Sequence, residues 1–130
     1  MWFEYAHGKE KIIHMFNGEL PLSNVELESF LFYAPSTLRL VFYSKSIPAR
    51  VPDKWNKIKY NSIRISLEFS DISKYISEGC CVGFECSPVI NSSKGNIHLE
   101  VKVDSFDLVC VSRFMEIQDI TPFLDKRWGN

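Results

Sequence analysis

Residues Ile63 to Phe69 read Ile-Arg-Ile-Ser-Leu-Glu-Phe, a strict apolar/polar alternation. Successive side chains on a strand point to opposite faces, so the run sets Ile63, Ile65, Leu67 and Phe69 on one side and Arg64, Ser66 and Glu68 on the other. One dry face and one wet face are the mark of antiparallel sheet, since parallel strands are covered on both sides and lose the alternation. The same pattern returns at Ile97 to Asp104, with Ile97, Leu99, Val101 and Val103 as the apolar row and His98, Glu100, Lys102 and Asp104 as the polar one. Both inward rows should matter for folding, and both outward rows present a mixed charged surface.

Working outward from this strand, the chain divides at its turn residues. Lys9 to Phe16 carries Ile12, Ile13 and Phe16 at offsets of three and four, which predicts a short helix with one apolar stripe, stopped by Asn17-Gly18. Val25 to Tyr33 begins as alternation and ends as a continuous apolar run, predicting a strand that becomes buried on both faces. After the turn Ala34-Pro35-Ser36, Thr37 to Lys45 alternates again and pairs back as a hairpin. Pro48 and Pro52 make Ser46 to Trp55 a connection, because proline cannot donate to a ladder. The third strand is predicted from about Lys57 to Phe69, and Ser70 to Ile76 is read as extended in preference to a short helix. Glu78-Gly79 turns the chain into Cys80 to Cys86, Ser87 to Gly95 reads as a loop, and Leu108 to Phe114 as a strand that Met115 to Ile120 continues after a bend. These elements predict an α+β fold, predominantly antiparallel β: a curled sheet or sandwich of about seven strands with a short N-terminal helix, in a single domain over residues 1–130.

Composition narrows the function. With 15 basic and 16 acidic side chains the net charge is −1, which lacks the basic excess of a protein built to neutralise phosphates, so direct nucleic-acid binding is not expected. The N-terminus has no basic region followed by an apolar stretch, and apolar runs fall far short of the ~18 residues that span a bilayer. A cytoplasmic location without membrane contact is therefore expected. Cys80, Cys81, Cys86 and Cys110 are expected to be free thiols in that reducing compartment.

No catalytic constellation accompanies the strands. Cys80, Cys81 and Cys86 lack the paired spacing of a structural zinc site and are read instead as small apolar side chains in a strand and its turn. His7, His14 and His98 belong to no triad-like motif. The six glycines are scattered singly, so no phosphate loop is formed. Glu26 with Glu28, or Asp104 with Asp107, offer carboxylate pairs that solvated strand faces explain without catalysis. Trp55 and Trp128 are each readable as a plug in the core or as an interface anchor. No enzyme activity, cofactor or metal is expected.

The order of several short motifs resembles the Imm50 group of bacterial immunity proteins. Trp2, the Gly8 to Phe16 stretch, Leu20-Pro21-Leu22-Ser23-Asn24-Val25-Glu26-Leu27, Pro52-Asp53-Lys54-Trp55 and Asn61 to Phe69 are similar to that family's motifs in the same order, while Ile97 to Ile120 is similar in pattern only. Departures are Ser23-Asn24, where many relatives carry His-Asp, and the Cys80-Cys81 region. The resemblance implies a cytoplasmic, non-enzymatic inhibitor that binds the C-terminal domain of a cognate toxin of a polymorphic or contact-dependent growth inhibition system, with a nuclease as one candidate class of toxin. On that reading Arg64, Glu68, Asp71, Glu85, Glu100 and Asp104 are the expected partner-binding residues, their carboxylates meeting a basic partner. A small scaffold subunit of a larger assembly, or a small enzyme with a pocket in which His98 or a thiol meets an activated partner, are the alternative readings.

Overall fold

The structure, a computed structural model, describes residues 1–79 and 82–128. Its frame is one antiparallel sheet of seven strands: β1 (Val25–Tyr33), β2 (Thr37–Ser44), β3 (Ser62–Glu78), β4 (Phe84–Cys86), β5 (Val89–Ser93), β6 (Asn96–Val103) and β7 (Phe106–Phe123). They lie in the order β4-β1-β2-β3-β7-β6-β5 and curl into a half-barrel. The helix α1 spans Glu10–Phe16, and a 3-10 helix at Asp53–Lys57 fills the connection between β2 and β3. Mostly antiparallel β with one short helix is what the alternating strands predict.

The inward row of β3 is fully buried, Ile63, Ile65, Leu67 and Phe69 each at 0% exposure. Opposite them across β2 stand Phe42, Leu40 and Leu38, and across β7 stand Ile120, Ile117 and Met115. The extended reading of residues 70–76 holds, and β3 runs on without a break to Glu78. β3 and β7 slip register together at two places, between Ser66 and Leu67 and between Ile72 and Lys74. On β7 the buried residues fall at 106, 108, 110 and 112, then at 115 and 117, then at 120, the last step spanning the extra residue Gln118. Each extra residue bends the ladder and adds twist, so the long strands fold the sheet around its own apolar face. The curl brings Phe30 of β1 and Phe84 of β4 to 5.2 and 5.3 Å from the ring of Phe106 on β7.

Helix α1 and the N-terminal turn close this concave side. Ile12 and Phe16 enter the core, while Ile13 is 46% exposed, so the stripe is narrower than the sequence spacing predicts. Asn17 takes the left-handed conformation at φ 53° and the Gly18 N–H returns to the Ile12 carbonyl at 3.4 Å, which ends the helix. Just before α1, His7 bridges β7 through Met115 and Ile117, covering an edge that β6 leaves free beyond Ser112. Gly8 makes that approach possible: at φ 85° a Cβ would lie 2.7 Å from the Ile117 carbonyl oxygen.

Three expectations need correction. The third strand starts at Ser62, because Trp55 is drawn into the core at 2% exposure and residues 53–57 wind into the 3-10 helix. β1 is not buried on both faces; β4 pairs only with Val25 to Leu27, so the far half of β1 is an edge and leaves Leu31 54% and Phe32 46% exposed. The stretch 87–95 is not all loop: Val89–Ser93 pairs with β6 across a two-residue turn at Lys94-Gly95, anchored by Ile90 opposite Leu99. Within the segment Cys80 to Cys86 that follows the Glu78-Gly79 turn, Phe84–Cys86 forms β4, while Cys80 and Cys81 lie outside the described residues. Replacing Leu67 by Ala should lower unfolding free energy by about 2 to 5 kcal/mol in urea denaturation, since it empties a fully buried site between β2 and β7.

Candidate functional site: the outer face of the sheet

The convex face is built by the alternate residues of the same strands. Cross-strand register aligns Glu85, Glu26, Tyr43, Arg64 and Thr121 in one row over β4, β1, β2, β3 and β7. The next rows are Ser29, Val41, Ser66 and Asp119; then Leu31, Arg39, Glu68 and Glu116; then Tyr33, Thr37, Ser70 and Phe114. Glu28 occupies the β1 bulge and reaches Arg64, Nη2 to Oε2 at 3.1 Å and Nε to Oε2 at 3.2 Å. Six carboxylates thus face outward with two guanidiniums among them, and Lys45 and Arg127 join at one end.

These side chains are held rather than loose. Glu68 Oε2 accepts the Tyr33 hydroxyl at 2.5 Å and Gln118 Nε2 at 2.9 Å, and Gln118 Oε1 accepts from Ser66 Oγ at 3.1 Å. Gln118 is the residue that the β7 bulge leaves without a partner on β3, so the irregularity that curls the sheet also aims this amide at Glu68. Donating to Glu68 pushes the Tyr33 phenol up from its ordinary value, and burial followed by the Glu28 charge does the same for Tyr43. Both stay protonated hydrogen-bond donors. Beneath them Val41 is only 4% exposed although it faces away from the main core. Exposed ion pairs such as Arg64 with Glu28 contribute roughly 0 to 1 kcal/mol to stability, so their main effect is to fix geometry in advance of binding.

A second network ties down one end of the face. Asp125, 3% exposed, accepts from Arg127 Nη2 at 2.6 Å and Nε at 2.9 Å and from the Arg127 backbone N–H at 3.0 Å. The same guanidinium donates to Glu26 at 2.7 Å, while Asn61 exchanges two bonds with the Asp125 backbone. These bonds hold the Asp125 carboxyl below the usual carboxylate range and raise Arg127 further above neutrality. Asn24, Glu26, Tyr43, Lys45, Glu85 and Arg127 surround a shallow cleft of about 200 Å³ there.

The structure gathers half of the expected partner-binding residues. Arg64, Glu68 and Glu85 share the convex face within these rows. Glu100 lies on the same side beyond the bend, in a row with Ile76, Val109 and Val89. Asp71 sits in the bend at φ 55° and meets Arg113 at 3.4 Å, with both side chains at least 60% exposed. Asp104 belongs to the turn joining β6 to β7 and stands apart from the face. Sequence reasoning missed Glu116, directly opposite Glu68, and Asp119; the alternation Met115-Glu116-Ile117 was the signal that places the first of them outward.

Other chemistry finds little support in the geometry. Among the described residues no three His, Cys, Asp or Glu side chains converge as a metal site. Cys110 and Cys86 are buried free thiols, pushed up to about 12 and about 11 by desolvation, with Glu85 adding to the second. His98 faces outward while Cys110 faces the core, so these two side chains lie on opposite faces of the sheet. Trp55 is a core plug, packed edge-on to Tyr60 at 5.5 Å, and the Trp128 side chain lies outside the described residues. No described helix is long and apolar enough to cross a membrane.

A β-rich domain whose organised surface is a polar sheet face suits the class of proteins that act by binding other proteins. The chain belongs to the family described as immunity protein 50, whose model matches residues 8–123. No curated protein and no solved structure matches it.

The Arg127 clamp generates a pH prediction. A carboxyl whose folded pKa is depressed contributes stability that is fully present above its unfolded value near ~3.9 and lost as pH falls through the lower folded value. Asp125→Asn should therefore lower the melting temperature at pH 7 and flatten its fall below about pH 4, as read by thermal denaturation across a pH series.

Proposed function

We propose that this protein protects its cell by seating the convex face of β1, β2, β3 and β7 on the C-terminal domain of a cognate toxin, blocking its active site or substrate surface. The observation that carries this reading is the carboxylate-rich row system, held in place by Tyr33, Gln118, Glu28 and Arg127 and flanked by exposed Leu31 and Phe114. A face of this kind complements a basic surface, because matched charge raises the association rate and selects partners. Nuclease toxins carry such surfaces to hold phosphates, so a nuclease of a polymorphic or contact-dependent system is the preferred target. Preformed hydrogen bonds reduce the side-chain entropy lost on docking. Inhibition needs no catalytic group on this chain, and the reading is of a non-enzymatic protein acting in the cytoplasm.

Within the face Glu68, Glu85 and Glu116 supply charge, and Arg64 sets register by holding Glu28 and leaving part of its own guanidinium exposed, at 44%. Asp104, Asp71 and Glu100 lie off these rows and fall outside the footprint or at its rim. The test is co-expression with the protein encoded immediately upstream, scored as rescue from growth arrest. Combined Glu68→Lys, Glu85→Lys and Glu116→Lys should abolish rescue and weaken binding by roughly 100-fold or more. Asp104→Lys should leave both unchanged. Full protection by the triple variant would overturn the assignment of the face.

A further inference from the structure

The helix-bearing side has the opposite electrostatic character. Residues 50–59 carry Arg50, Lys54, Lys57 and Lys59 against the single acid Asp53. All four cations are exposed, and none forms an ion pair among the described residues. The 3-10 helix explains the placement: burying Trp55 fixes this short turn, which leaves Lys54, Lys57 and Ile58 facing out, the last at 49% exposure.

Between this turn, α1 and the end of β7 runs a groove of about 460 Å³, with Met15, Trp55, Ile58, Ile120 and Pro122 among its apolar walls and Lys11, Lys54 and Asp119 as its charged residues. Its floor is a free strand edge. Pro122 has no N–H and stands opposite Ile63, so it donates nothing to the ladder with β3. Proline on an open edge discourages pairing by another strand, which leaves side-chain insertion as the mode of occupancy. The volume falls in the range of ligand-binding clefts, roughly 300 to 1,000 Å³.

We propose that this groove docks an acidic peptide segment of a second protein partner, one large apolar side chain seated against Met15 and Ile58 and flanking carboxylates against Lys54 and Lys57. Charge complementarity selects the occupant: the walls are apolar, and the rim cations Lys11 and Lys54, with the neighbouring Arg50, Lys57 and Lys59, outnumber the carboxylates Asp53 and Asp119. The concave shape favours a peptide over a lipid surface, and Trp55, which would otherwise enter a membrane interface, is buried at 2% exposure. This site meets the proposed toxin face only at Asp119 and Thr121 on the end of β7, and its failure would leave that reading intact.

The test uses the full chain and a fluorescein-labelled peptide of sequence EDLFDLE, with its charge-inverted counterpart KKLFKLK, followed by fluorescence anisotropy. The acidic peptide should bind and the basic one should not. Binding should weaken about tenfold or more in Ile58→Asp and in the pair Lys54→Glu with Lys57→Glu, while Glu68→Lys leaves it unchanged. All substituted side chains are at least partly exposed, and circular dichroism checks their folding. Absence of acidic-peptide binding, equal binding of both peptides, or indifference to the groove variants would overturn the proposal. So would lysine-dependent binding of phosphatidylserine vesicles or single-stranded DNA in place of the peptide.

Discussion

The pairing of β3 with β7 is the constraint on which the rest of the molecule depends. These are the two longest strands, 17 and 18 residues, and they form the centre of the sheet. A regular ladder of that length would twist, yet would still present one flat-pleated apolar side too broad for a seven-residue helix to cover. The matched slips near Ser66 and Ile72 let the sheet wrap its own apolar side, so that Phe30, Phe84 and Phe106 meet across the interior. Helix α1 and the His7 bridge then have only the remaining opening and the free half of β7 to close.

The same slips organise the outer surface. An extra residue on β7 frees Gln118 from the ladder and turns its amide to Glu68, and the β1 bulge frees Glu28 to reach Arg64. Curvature of the core and order of the outer face are thus two consequences of one set of irregularities. An immunity protein gains from this arrangement, since a binding face that is stiff before contact loses less entropy on docking. The division also leaves the helix side free to carry the opposite charge.

Legibility from sequence follows the same physics. The Ile63 to Phe69 alternation is local and unambiguous, and it identified the buried row, the outward row and the antiparallel class, because a period of two requires only one buried face. Asn17-Gly18 was readable for a similar reason, as few residues take the left-handed conformation. What escaped was whatever depends on partners distant in sequence. The tail of β1 is apolar enough to be read as doubly buried, but its exposure is decided by the shortness of β4. Val89–Ser93 is polar apart from Val89 and Ile90, and becomes a strand through pairing with β6. Glu68 and Glu85 could be named as outward acids, whereas their common face with Glu116 rests on register and bulges that no single strand encodes. The family resemblance, carried by Gly8 to Phe16, the Pro52 to Trp55 motif and Asn61 to Phe69, contributed the class of partner that these residues alone did not.

Carboxyl footprinting by mass spectrometry, on the chain alone and mixed with the protein encoded upstream, tests the central claim most directly. The account predicts that Glu68, Glu85 and Glu116 lose reactivity toward carbodiimide coupling in the complex, while Glu4, Glu10 and Asp53 on the helix side react as before. Protection confined to the helix-side carboxyls, with the three outer-face residues unchanged, would contradict it.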